Sequence, residues 1–409
     1  MKICFVSKRL HGISGGVERA LRDISCALAG RGHEVHVLLP DPPGAEPFYP
    51  FSPEVRLVSR VEAKTPGQAL RRKLSHILQR TGMIRKKTFG ALVWKWTQVP
   101  MQREIESWLE AERPDVAIAF GPVPMALLGT SRLPSDIVRI GSIHTRPTME
   151  FTPRSSDPAP YQTAQAIRSL SLFDRIVVLL PEFLEWFDPA LQPKVRVIPN
   201  GVPAPTKPSG SRKRETRIIS VGRLVREKRH DLLLDAWARV AGSFPDWHLD
   251  IYGEGYLRNK LQDRIAALGL TGRVSLRGAV KDIDDAYGSA SLMVHPAEQE
   301  GFGLVVAEAF AHALPVVGFA DCTGVNTLVQ DRVNGRLVPA RENRAGALAE
   351  ILMEILSNPE ELAHIGASGP ETIRAFAPER ITDMWENLLR ELCRGRSNTQ
   401  GVSDHCKAR

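Results

Sequence analysis

The sequence predicts an α/β protein made of two doubly wound parallel sheets. Three observations carry the prediction: short β-branched runs alternate with amphipathic helical patterns, a Pro/Gly/Ser/Lys-rich stretch interrupts the alternation near mid-chain, and the same rhythm then restarts. With 409 residues, 43% of them hydrophobic and 24% charged, the chain can bury a separate core in each half without disulfide or metal staples.

In the first half, Lys2–Ser7, Val35–Leu39, Val116–Ala119, Ile137–Gly141, Arg175–Leu179 and Val195–Ile198 read as strands. Between Gly16 and Gly32 the apolar residues Val17, Ala20, Leu21, Ile24 and Leu28 share one helical face, with Gly30 and Gly32 as stop signals. Pro199 to Arg214 is the break. Beyond it, Arg217–Val221, His248–Tyr252, Val274–Leu276, Leu292–His295 and Pro315–Val317 read as strands. The expected domains are residues 1–200, a linker at 201–216, a second domain at 217–377, a terminal helix at 378–393 able to cross back to the first domain, and a disordered polar tail at 394–409. Each sheet should bind ligand at the carboxyl ends of its strands, so two such domains facing one another form a cleft that takes one small molecule from each side.

Composition narrows the classes further. The five cysteines (Cys4, Cys26, Cys322, Cys393, Cys406) are scattered, with no C-x-x-C pair, which fits a reducing, cytoplasmic setting. Ile3 to Val6 is too short an apolar run for an export signal, and Leu304 to Phe319 is broken by Glu308, His312 and Pro315, so neither reads as a membrane segment. A soluble or peripheral protein is expected. Net charge is +8, yet residues 64–103 alone hold ten Lys or Arg and no acid, with Leu74, Ile77, Met83, Ile84, Val93 and Trp94 among the apolar residues between them. Two readings stand side by side: a basic surface, with Arg71, Arg72, Lys73, Arg85, Lys86 and Lys87 facing an anionic membrane or acceptor, or a solvated excursion whose apolar face packs on its own domain. Nucleic acid is not expected as a partner, because no recognition motif accompanies the charge.

Three motifs carry chemistry. Gly12-Ile13-Ser14-Gly15-Gly16, between the first strand and its helix, lets backbone approach an anion, or is a plain Gly-rich turn. Its G-x-S-x-G pattern is not a hydrolase elbow, since Ser14 comes seven residues after Ser7 rather than directly off the strand. Ser220 to Arg229 ends a strand in Gly222 and then supplies Arg223, Arg226, Lys228 and Arg229, which suit a diphosphate or form a solvated basic loop. Glu300-Gly301-Phe302-Gly303-Leu304-Val305-Val306-Ala307-Glu308 sets two carboxylates seven residues apart, the second among apolar neighbours. A buried Glu308 needs a hydrogen-bonding partner, which a ribose diol or an internal donor can supply, and the free amides of Gly301 to Leu304 can hold sugar or phosphate oxygens. Asp282-Ile283-Asp284 is a formal D-x-D, read as helix capping by Asp282.

Gly15-Gly16, Asn200-Gly201-Val202, Gly222-Arg223 with Lys228, Gly253-Glu254-Gly255 and the Glu300/Glu308 element together resemble the retaining GT-B glycosyltransferases of family 4 (glycosyl transferases group 1). The resemblance covers nearly the whole chain and is strongest over residues 195–340. It implies two Rossmann-like domains, with the backbone of Gly15 and Gly16 toward the donor diphosphate and Arg223 and Lys228 in salt links to it. It implies Glu308 on the ribose hydroxyls, and Glu300 with the amides of Gly301, Phe302, Gly303 and Leu304 on the donor sugar. It also implies that His144, in Ser142-Ile143-His144-Thr145, is the active-site histidine. Members usually carry a serine after the strand preceding the linker; Val177 to Pro181 has none, so no contact is carried over there. The implied activity is metal-independent, cofactor-free transfer of a sugar from a nucleoside-diphosphate donor, a UDP-sugar, to a lipid-linked glycan, lipopolysaccharide or exopolysaccharide precursor at the cytoplasmic membrane face. The competing readings are a UDP-sugar epimerase or hydrolase of the same fold, and a basic nucleic-acid- or membrane-binding protein without catalysis.

Overall fold

The computed structural model describes residues 1–59, 74–75, 77–78, 81–151, 160–206, 214–280 and 282–407, apart from the side chains of Arg85 and residues 396–407. The chain forms two compact units, Met1–Pro199 with Ile381–Arg409, and Asn200–Arg380.

Unit 1 is built on a wholly parallel sheet of β1 (Lys2–Val6), β2 (Glu34–Leu39), β3 (Val55–Ser59), β4 (Val116–Phe120), β5 (Val138–Ser142), β6 (Arg175–Val178) and β7 (Val195–Val197). Its order is β3-β2-β1-β4-β5-β6-β7. Helices cover both faces, so the central strands are continuous apolar runs: Ile3, Cys4, Phe5 and Val6 are all buried, and Phe5 meets Phe120 edge-on at 5.9 Å. The helix Gly16–Gly30 buries Ala20, Leu21, Ile24 and Leu28 on the face that the spacing predicts.

The helix Pro378–Lys407 belongs to the same core. Ile381, Trp385, Leu388 and Leu389, one helical stripe, pack with the β1 and β2 residues, and Arg31–Asp383 (2.6 Å), His33–Glu386 (2.8 Å) and Arg175–Glu391 (3.1 Å) fasten its flanks. The tail expected to be disordered from residue 394 is instead helical as far as Lys407: it contains no proline, and Gly395 and Gly401 alone do not stop a helix already under way.

Unit 2 repeats the pattern with β8 (Arg217–Val221), β9 (His248–Tyr252), β10 (Val274–Gly278), β11 (Leu292–His295), β12 (Val316–Phe319) and β13 (Gly335–Val338), in the order β10-β9-β8-β11-β12-β13. In both sheets the strand order reverses beside the first strand. The carboxyl ends of β1/β4 and β8/β11 are therefore the crevices where such sheets receive ligands. Two strands lie outside the sequence reading, β3 and β13, and both are sheet edges. β3 buries Val55 but exposes Arg56 and Leu57, and β13 starts on the Gly of an Asn334-Gly335 pair that reads as a turn.

Trp385→Ala should cost about 3–5 kcal/mol of unit 1 stability, since it empties a buried indole site. An unchanged urea midpoint would show that the helix is not part of that core.

Candidate functional site

At the unit 2 crevice, the chain leaves β8 through Gly222, Arg223 and Leu224. This loop is laid on the one leaving β9: Gly222 N donates to Tyr252 O (2.9 Å) and Leu224 N to Glu254 O (2.9 Å). The packing requires Gly253, whose φ is +140° and where a Cβ would fall 2.0 Å from the Gly222 carbonyl oxygen. So held, Arg223 is exposed and makes no ion pair among the described residues. Arg229, at φ 49°, turns the chain into the helix His230–Val240 and is held by Asp231 (3.3 Å) and Glu298. Glu298 N also donates to Glu227 O (3.2 Å), which clips the loop after β11 to the loop after β8.

Glu300 is the centre of this arrangement. Its Oε1 receives Lys228 Nζ from one loop and lies 2.7 Å from His295 Nε2 at the end of β11. Burial would raise this carboxyl, but the Lys228 charge and the His295 hydrogen bond outweigh it and hold the group well below the usual carboxylate range. The Lys228–Glu300 ion pair joins two residues that the sequence reading assigns to different parts of a ligand. Behind them, burial pushes His230 down to about 4, and the neighbouring His295 and Lys228 add to the effect, so its imidazole is neutral at pH 7.

The helix Leu304–Ala311 begins at Gly303, whose φ of +81° and 2.7 Å Cβ approach to Gly324 O admit only glycine. The amides of Gly301, Phe302, Gly303 and Leu304 have no hydrogen-bond acceptor among the described residues. Glu308 lies one turn further in, buried, and accepts the Tyr287 hydroxyl at 3.0 Å. Asp282 accepts the amide of Asp284 (3.0 Å), although the cap itself is Ile283, and Asp284 accepts the Thr206 amide (2.9 Å); the D-x-D pair thus serves local structure.

In unit 1, Gly15 caps the helix that starts at Gly16. His144, just beyond β5, is buried, stacked 4.0 Å from the Phe120 ring, with Nε2 2.8 Å from Ser142 Oγ. Beside the Gly-Gly turn stands a buried acid that the sequence reading passes over, Glu18, paired with Lys8 at 3.1 Å. An acid in the first turn after Gly-Gly was the available signal. For His295 the signal was a strand end five residues before Glu300, whereas nothing local marked Tyr287.

Arg71, Arg72 and Lys73 lie outside the described residues, as does the Arg85 side chain. Lys86 and Lys87 are exposed and unpaired among the described residues. Ile84 and Val93 are buried against their own unit, beside a shallow groove lined by Trp94 and Tyr161, while Leu74, Ile77 and Met83 are exposed. No helix among the described residues is long and apolar enough to cross a membrane.

The buried charges give a pH signature. The folded pKa of His230 lies below the unfolded value of about 6.5, so its contribution is intact above that pH and is lost as pH falls toward 4; Glu300 adds a further loss below about pH 4. Between pH 7 and 5 the His230 effect should amount to about 2 kcal/mol. His230→Gln should flatten the slope in urea denaturation, and parallel slopes for variant and wild type would overturn the assignment.

The family described as Glycosyl transferases group 1 matches residues 204–372, and Glycosyltransferase Family 4 matches residues 14–204. An exopolysaccharide phosphotransferase of Streptomyces coelicolor is 30% identical over 321 residues, 78% of this chain and 32% of that protein. The chain spans about a third to a half of the length of the curated relatives it matches. Among solved structures, the sucrose-phosphate synthase of Thermosynechococcus elongatus superposes with a TM-score of 0.73 at 20% identity, over 96% of this chain and 99% of the other. A mutant of S. aureus TarM in complex with Fondaparinux, alpha-GlcNAc-glycerol and UDP does so with a TM-score of 0.73 at 15% identity, over 95% and 100%. Two family matches that meet at the unit boundary, on two sheets of this order, place the chain in the group 1 glycosyltransferases with the GT-B fold.

Proposed function

We propose that the protein transfers a sugar from a UDP-sugar to a hydroxyl of an exopolysaccharide, lipopolysaccharide or lipid-linked glycan precursor, with retention at the anomeric carbon. The observation that carries this reading is the unit 2 crevice, where an ionised Glu300, the free amides of Gly301 to Leu304, an unpaired Arg223 and a buried Glu308 follow the ends of β8 and β11. These groups match the donor part by part. Glu308 accepts the ribose hydroxyls. Arg223 takes the diphosphate, the amides of Gly301 to Leu304 take oxygens of the donor sugar, and Lys228, one of whose three N–H bonds is spent on Glu300, has others for phosphate oxygen. The Oε2 atom of Glu300 accepts donor sugar hydroxyls. UDP in the TarM complex and the exopolysaccharide in the relative's name favour this donor and this acceptor class.

In the reaction, the bond from the anomeric carbon to the diphosphate breaks while the acceptor oxygen bonds to the same carbon from the same face. The acceptor's proton passes to a phosphate oxygen of the leaving UDP. The protein stabilises charge developing on the diphosphate with Arg223, Lys228 and backbone amides, so the scheme calls for no metal. His144, at the end of β5 in unit 1, is the histidine that the family resemblance assigns to the reaction. Lys86 and Lys87, with the exposed Leu74, Ile77 and Met83, hold the enzyme on an anionic cytoplasmic membrane face.

Calorimetric titration with UDP and GDP in EDTA should give saturable UDP binding, weakened about tenfold or more in Glu308→Ala and in Arg223→Ala. No binding of either nucleotide would sink the proposal, and turnover of a UDP-sugar without any acceptor would favour the hydrolase or epimerase. The membrane role predicts that wild type sediments with anionic liposomes and that Lys86→Glu/Lys87→Glu does so less; equal sedimentation would remove it.

A further inference from the structure

Glu308 has a buried tyrosine among its partners. Tyr287, fully buried on the helix Asp284–Ser289, donates its hydroxyl to Glu308 Oε2 at 3.0 Å. The tyrosine ring is itself set against His312, 5.3 Å between centroids. His312 Nδ1 lies 2.9 Å from the backbone carbonyl oxygen of Glu308, and its Nε2 lies 3.5 Å from Asp284 Oδ1. Asp284 in turn accepts the Thr206 amide at 2.9 Å. The hydroxyl that reaches Glu308 is thus carried by a ring that cannot swing away, on a helix tied at its first turn.

A glutamate side chain has three rotatable bonds, and ordering it on ligand arrival would weaken binding. We propose that Tyr287 is a positioning residue for the nucleoside: its hydroxyl fixes the Glu308 carboxylate in the orientation that accepts the ribose diol, and so sets the preference for ribonucleotide over deoxyribonucleotide donors. The proposal rests on the reading of Glu308 as the ribose contact. Tyr287 touches no substrate atom, and its effect is confined to the two hydroxyls that Glu308 receives.

The test is calorimetric titration of UDP and 2′,3′-dideoxy-UDP into the full chain, as wild type, Tyr287→Phe, Glu308→Ala and the double variant. Phenylalanine keeps the ring and its packing, and thermal midpoints run alongside report any general loosening. Wild type should prefer UDP by about tenfold or more. Tyr287→Phe should weaken UDP about fivefold, leave dideoxy-UDP unchanged, and add nothing once Glu308 is alanine. If wild type shows no preference for UDP, Glu308 is not the ribose contact and both readings fall. If the preference is present, is lost in Glu308→Ala, and survives Tyr287→Phe or falls equally for both nucleotides, the ribose reading stands and the role of Tyr287 is overturned.

Discussion

A carboxylate kept ionised inside protein needs permanent compensation, and Glu300 receives it on one oxygen from Lys228 and His295. Those partners arrive from different loops, one after β8 and the other at the end of β11. Their meeting therefore depends on the parallel pairing of these two strands at the point where the sheet order reverses. Around it the second constraint is backbone contact: the loop after β9 touches Gly222 only because residue 253 lacks a side chain, and the Glu300 loop is seated against Gly324 through Gly303. The charged centre and its glycine supports form one rigid frame, which leaves the amides before Leu304 unspent.

The same logic distinguishes the two carboxylates of the motif. Glu300 is paired with a cation and stays charged. Glu308 accepts a neutral hydroxyl from Tyr287, on a helix whose Val306, Ala307, Ala309 and Phe310 are buried. One spacing thus yields two environments, because position 300 lies on the loop at the carboxyl end of β11 and position 308 lies buried in a helix.

The central strands of both sheets were legible because burial on both faces forces continuous apolar runs, and the helix after β1 because its apolar residues recur at helical spacing. β3 and β13 were not, since an edge strand carries polar residues and leaves no such run. In the site, Arg223, Lys228, Glu300 and Glu308 were legible as residue types at fixed intervals. That Lys228 and Glu300 meet was not, because the contact spans 72 positions and belongs to strand order rather than to local pattern. Tyr287 stayed hidden for the same reason: what makes it significant is its contact with Glu308, 21 positions away.

The helix beginning at Pro378 gives the chain an unusual itinerary. Unit 1 holds both β1 and the stripe from Ile381 to Leu389 in a single core, while residues 200–380 make a body of their own between them. During synthesis, unit 2 can therefore close its sheet while unit 1 still waits for Trp385, and β1 has part of its surface left uncovered until residues 200–380 are made. The nascent chain carries an exposed apolar face on unit 1 throughout the synthesis of residues 200–380, and a chain truncated after Arg380 would leave unit 2 folded and unit 1 open.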